Sequence, residues 1–187
     1  MSPTVPMDRP AAIRRAVREL VAEQGFHGTS MSAVAEVAGV ATGTAYVYYD
    51  SKEALVCAAY AEAKHQMGSA VAAVVDPDVP PHERFGQMWR AAYDYMVANP
   101  GQARYLMQVD VSPYADSARA MVTEGNDPMM LEAENPDVAE LLVSIPIDVV
   151  YSLSLGQAIR LAASGIEMTD DEIGLVVEAC WRAITRP

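Results

Sequence analysis

Every strongly periodic stretch of this 187-residue chain repeats with the period of an α-helix. Ile13, Val17, Leu20, Val21 and Gln24 follow one another at i, i+4, i+7, i+8 and i+11, and Gly25 supplies a stop. Phe85, Met88, Trp89, Ala92, Tyr93 and Met96 fall on one stripe of a second helix. That helix must end at Asn99-Pro100, because the residue before a proline avoids the α region. An alanine-rich segment from about Ser51 to Val75 predicts a long helix, closed by Asp76-Pro77 and separated from the next by Pro80 and Pro81. Nowhere does a period-2 alternation of β-branched residues run between hairpin turns. The chain reads as all-α.

Two segments near the C-terminal end add detail. From Ile145 to Ala163 the ionisable residues are Asp148 and Arg160, which predicts a helix apolar nearly all round and covered on more than one side. The last helix is expected from about Thr169 to Ile184. Thr169 is its cap, Asp170, Asp171 and Glu172 suit the positive end of its dipole, and Ile173, Val176, Val177, Cys180 and Ile184 form its buried stripe. Between these regions the acidic, Gly- and Pro-punctuated Thr123–Pro136 reads as a mobile loop.

Charge sharpens the organisation. Asp and Glu number 25 against 13 Lys and Arg, a net −12. Residues 1–65 carry only −1 of this and residues 66–187 carry −11, so the first third is where an anionic partner would be tolerated. Cys57 and Cys180 are too few and too far apart for a disulfide framework or a metal cluster, and read as free thiols in a reducing compartment. His27, His65 and His82 lack ligand spacing, so no metal is expected. The first ten residues, with prolines at 3, 6 and 10, do not read as a secretory leader, and the longest apolar run, Ala54–Ala61, is far short of the ~20 residues needed to span a bilayer. A cytoplasmic protein with no membrane partner is expected. No nucleophile elbow, phosphate loop or HExxH is present, so neither catalytic residues nor a cofactor is assigned and the chain does not read as an enzyme.

The most informative stretch is Thr29 to Lys52. A short helix capped by Thr29 or Ser30 runs through Val34, Ala35 and Ala38. Gly39 permits a left-handed turn, Val40 plugs it, and a second helix runs from about Thr42 to Tyr48. Two short helices joined by a tight glycine turn form a helix-turn-helix, whose second helix can enter a DNA major groove. Ser32, Thr42, Thr44, Tyr46, Val47 and Tyr48 are expected on its outer surface, and Tyr49 in the interior.

In these residues the sequence resembles the TetR-type transcriptional repressors. The likeness is carried by Gly25-Phe26-His27-Gly28-Thr29-Ser30-Met31, by Ala35-Glu36-Val37-Ala38-Gly39-Val40, and by Gly43 to Tyr49 with Ser51-Lys52-Glu53-Ala54-Leu55. It implies an N-terminal three-helix DNA-binding domain over residues 1–50 and a helical ligand-binding and dimerisation domain over 51–187. It also implies a homodimer paired through the last two helices, a palindromic operator and release by a small-molecule inducer. By the same likeness Ser32, Thr42, Gly43, Thr44 and Val47 lie near bases, and Thr29, Tyr46, Tyr48 and Lys52 near phosphates. Threonine can bond base edges and offer its methyl to thymine, which agrees with those roles. Three positions depart from the pattern: Thr42 stands where Lys is frequent, Val47 where His is, and Tyr49 where Phe is usual. Besides Lys52, the cations available to phosphates are Arg9, Arg14 and Arg15. The thin charge keeps an alternative open, a helical small-molecule-binding protein whose helix-turn-helix no longer binds DNA.

Six of the eleven methionines lie between residues 88 and 130 among several tyrosines. They read either as a plastic core or as a soft-walled pocket for an apolar or aromatic molecule. Trp89, Tyr93, Met96, Met107 and Tyr151 are the candidate lining residues. Asp94, Asp110 and Asp148 are candidate partners for a cationic ligand.

Overall fold

The computed structural model describes residues 8–124 and 135–186, and helices dominate them. Helix α1 (Arg9–Gln24) is capped by Asp8, whose carboxylate accepts from the Ala11 amide at 3.2 Å, and ends at Gly25 with φ +71°. Ser30, not Thr29, caps α2 (Met31–Val37), its hydroxyl accepting from Ala33 N at 3.1 Å. Gly39, at φ +69°, then turns the chain, and the Val40 amide donates to the Ala35 carbonyl at 2.9 Å. Helix α3 (Thr42–Tyr48) follows and buries one side chain, Ala45. A methyl is all it buries fully between α1 and α2, which leaves most of its surface outward.

Helix α4 (Lys52–Ala72) is the axis of the molecule. It starts at Ser51, whose hydroxyl accepts from Ala54 N at 3.0 Å, and packs against α1, α5 (Pro81–Ala98), α6 (Pro100–Asp110) and α7 (Ala115–Glu124). Its alanines make this possible: a helix surrounded on several sides needs small residues so that neighbouring backbones can approach. Pro81 stands in the first turn of α5 and Pro100 in the first turn of α6, where a missing N–H costs nothing.

The remaining helices are α8 (Pro136–Ala139), α9 (Ile147–Leu153), α10 (Leu155–Ser164) and α11 (Asp170–Ile184). The single helix expected over Ile145–Ala163 is two helices, broken at Ser154. The Ser154 hydroxyl turns back to donate to Val150 O at 2.7 Å, and its carbonyl accepts both from the Gln157 amide of α10 at 3.0 Å and from the buried Trp89 indole at 3.3 Å. The cover this segment required is therefore divided. Helix α10 is sunk against α5 and α6 through Leu155, Ala158, Ile159 and Ala162, whereas α9 leaves Ile147, Val149 and Leu153 exposed. Helix α11 begins with a complete capping box between Thr169 and Glu172 and lies on α5. Its end is tied to the segment before α9 by a lone antiparallel bridge, Leu142 to Thr185, which is the only β pairing among the described residues. The expected loop over Thr123–Pro136 falls, apart from its ends, outside the described residues. One core cluster runs from Ile13 through α4 to Ile184, without a break at residue 50.

Candidate nucleic-acid interface and small-molecule cavity

The outward face of α3 is unusual for its composition. Val47 is 79% exposed and Tyr46 50%, with Tyr48, Thr42 and Gly43 beside them and Ser32 of α2 adjacent. A Cβ placed on Gly43 would meet nothing within 4 Å, so its side of the helix is open to close approach. Thr44 is half-buried. Two of the expected contact residues are engaged otherwise. Thr29 is only 2% exposed and its hydroxyl donates to Gly25 O at 2.8 Å, locking the end of α1 instead of facing a phosphate. Lys52 is half-buried, donates its ammonium to the Phe26 carbonyl and lies 5.9 Å from the centroid of the Phe26 ring. Burial lowers its pKa.

Arg14 is not available to phosphate either. Its Nε donates to Glu62 at 2.8 Å and its Nη1 to the Tyr49 hydroxyl at 2.7 Å, while Arg18 pairs with the other Glu62 oxygen. The half-buried Tyr49 thus carries a polar tie as well as packing, which explains a hydroxyl where a phenyl ring would fill the same space. This cluster joins α1, the end of α3 and the middle of α4 into one mechanical unit. The exposed cations at this end are Arg9 and Arg15, the latter 3.8 Å from Glu19.

About 8 residues further along α4, at Tyr60 and Lys64, the molecule opens into a cavity of about 570 Å³ lined by residues of every helix from α4 to α11. That volume is in the range of sites for small organic molecules. Of the expected lining residues, Met107 and Tyr151 face it. Trp89, Tyr93 and Met96 do not, and the reason is their place on the stripe of α5. Trp89 is fully buried and stacked on Tyr93 with ring centroids 5.6 Å apart, Tyr93 donates to Ile166 O at 3.0 Å, and Met96 is fully buried in the core. The α5 residues that reach the cavity are Phe85 and Met88. Asp110 and Asp148 line it too, whereas Asp94 is exposed beside Arg90 at 3.7 Å. Reading the sequence overlooked Tyr60 and Lys64. Their signal was present: Lys64 is one of two lysines in the chain, set one helical turn after Tyr60 in an apolar segment.

Both halves of the chain match known families. The description "Bacterial regulatory proteins, tetR family" matches residues 13–59, and "Tetracyclin repressor-like, C-terminal domain" matches residues 80–185. The chain belongs to the TetR family of transcriptional regulators. An uncharacterised helix-turn-helix transcriptional regulator of Haemophilus influenzae is 28% identical over 180 residues, spanning 91% of this chain and 92% of the relative. Among solved structures, a TetR-family regulator from Haemophilus influenzae superposes with a TM-score of 0.75 at 27% identity, covering 96% and 97% of the two chains. A TetR-family protein from Vibrio parahaemolyticus gives 0.73 at 26% identity over 96% and 100%. TetR-family proteins are regulators rather than enzymes, and α1 to α3 form the DNA-binding head of this one. Among the described residues, no helix of this TetR-family regulator is long and apolar enough to cross a membrane.

Proposed function

We propose that the protein is a ligand-responsive repressor that acts as a homodimer in the cytoplasm on a palindromic operator. Residues 1–50 serve as the reading head and residues 51–187 as the ligand-binding and dimerising part. The observation that carries this reading is the face of α3, where Thr42, Gly43, Tyr46, Val47 and Tyr48 stand outward with no core to explain them. Thr42, Gly43, Val47 and, from α2, Ser32 meet base edges, with Thr44 at the margin. Tyr46 and Tyr48 meet the backbone. With few cations, sequence preference rests on thymine methyls and groove shape.

The ligand, a small molecule with an apolar or aromatic body, occupies the cavity beside Met107 and Tyr151. It controls DNA binding only by preferring one arrangement of the heads over another. Helix α4 supports that coupling. It carries Lys52 at the head and Lys64 at the cavity, twelve residues or ~18 Å apart along one rigid rod. The Arg14–Glu62–Arg18 cluster transmits its tilt to α1 and α3. Two-fold pairing uses α10 and α11 together with the exposed apolar residues of α9.

Footprinting on the DNA upstream of the protein's own gene tests the reading. Two protected half-sites about 34–36 Å apart are expected. Tyr46→Ala weakens binding to every sequence, whereas Thr42→Ala changes which sequence is preferred. A folded dimer that protects no fragment at low salt would instead support the small-molecule-binding protein with a silent head.

A further inference from the structure

Among the described residues, Lys64 is the one charged group on the cavity wall that is buried without a charged partner. It is 6% exposed, and its ammonium donates to the Tyr151 hydroxyl and lies 4.0 Å from the centroid of the Tyr151 ring. Among the described residues no carboxylate forms an ion pair with it. Its neighbour Asp110 is engaged elsewhere, accepting from the Tyr60 hydroxyl at 2.7 Å. Arg119 also lines the cavity but pairs with Asp116 at 2.7 Å, and Asp148 and Arg160 line it but are exposed, where water screens them. A tyrosine hydroxyl and an aromatic face compensate a buried ammonium only in part, and a buried charge is normally met by a full counter-charge. The remaining wall near by is apolar: Phe85 and Trp181, with ring centroids 5.3 Å apart, Met88, Leu155 and Ile159.

We propose that the ligand of this cavity is an amphiphile with one carboxylate head, seated on Lys64 and Tyr151, and an apolar body lying along Phe85, Met88 and Trp181. This deepens, and rests on, the ligand-responsive reading above. The head supplies the missing counter-charge, and the charge-assisted hydrogen bond it forms in a low-dielectric site is stronger than either partner makes in water. The whole chain is strongly acidic, so an anion is drawn to this place by the local cation and not by the overall field. A cationic amphiphile would set a second ammonium beside Lys64 and is rejected.

The test uses the full-length dimer and three probes that differ only in the head: decanoate, decanol and decylammonium, followed by titration calorimetry. Decanoate binds about 10- to 100-fold more tightly than decanol, and decylammonium gives no measurable binding. Lys64→Met, checked for helicity by circular dichroism, erases the preference for decanoate over decanol. Tyr151→Phe, which keeps the cation and removes its neutral partner, retains that preference. Equal affinities for decanoate and decanol, tighter binding of decylammonium, no binding by any probe, or a preference that survives Lys64→Met would each overturn the proposal. The regulatory reading fails separately. If decanoate binds with the stated preference yet leaves the protein on its upstream DNA, the anion site stands and ligand control falls. If decanol releases the DNA as well as decanoate does, ligand control stands and the anion site falls.

Discussion

Glu62 ties the DNA-reading head to the axis of the regulator through two arginines, and its ionisation should be visible in stability. Burial raises the pKa of this carboxyl, but hydrogen bonds from Arg14 and Arg18 and their charges outweigh burial, and the net shift is downward. Arg14 moves upward, chiefly through its bond to Glu62, so both partners agree that the pair is held charged. A folded-state pKa below the unfolded one stabilises the protein above the unfolded value and ceases to do so as pH falls through the folded one. Glu62→Gln is therefore expected to cost about 1–2 kcal/mol near neutral pH, discounted for the partial exposure of the pair. The gap between wild type and variant should close below about pH 4.3. Urea denaturation at several pH values measures both. A gap that persists unchanged at pH 3 would refute the assignment.

At the scale of elements, the break between α9 and α10 decides where apolar surface goes. Trp89 packs against the break from the far side, its indole N–H adding a second donor to the Ser154 carbonyl that Gln157 N already meets at 3.0 Å, with the Cys180 thiol 4.0 Å from the same oxygen. Trp89→Phe removes the donor and leaves a void beside a buried carbonyl. It is expected to cost about 2–3 kcal/mol. Trp181 then remains as the single tryptophan, so its fluorescence reports the unfolding curve directly. Helix boundaries were legible in advance wherever a cap or breaker stood: Gly25, Gly39, Ser51, Pro81, Pro100 and Thr169 all sit where chain chemistry demands them. The break at Ser154 was not legible. Serine is a mild residue within a helix, and the indole that joins Gln157 N at its carbonyl comes from a tryptophan 65 residues away.

For the molecule as a whole, two measurements bear on the proposed dimer. Leu175 is 71% exposed on α11, opposite the face that packs on α5. Leu175→Glu should convert the dimer to a monomer in sedimentation velocity without loss of helicity, and should abolish operator binding along with it. A variant that stays dimeric would move the interface elsewhere. The second concerns salt. With Arg14 bound to Glu62 and Lys52 to the Phe26 carbonyl, the cations left for phosphate are Arg9 and Arg15, two per subunit. Operator affinity should then fall with a log–log salt slope of about −4 for the dimer. A slope near zero would contradict a DNA-binding head altogether.

What the amino-acid order determined by itself was local and periodic. It set the all-α class, the helix ends marked by caps and prolines, the helix-turn-helix, and the outward set on α3, because each depends on residues within a turn or two of one another. Tertiary structure alone decided the rest. It turned Trp89, Tyr93 and Met96 into core, drew Thr29 and Arg14 into internal bonds, and left Lys64 beside the cavity. Which side of a helix becomes wall and which becomes core depends on distant neighbours, and periodicity shows only that a side is buried, not what it is buried against.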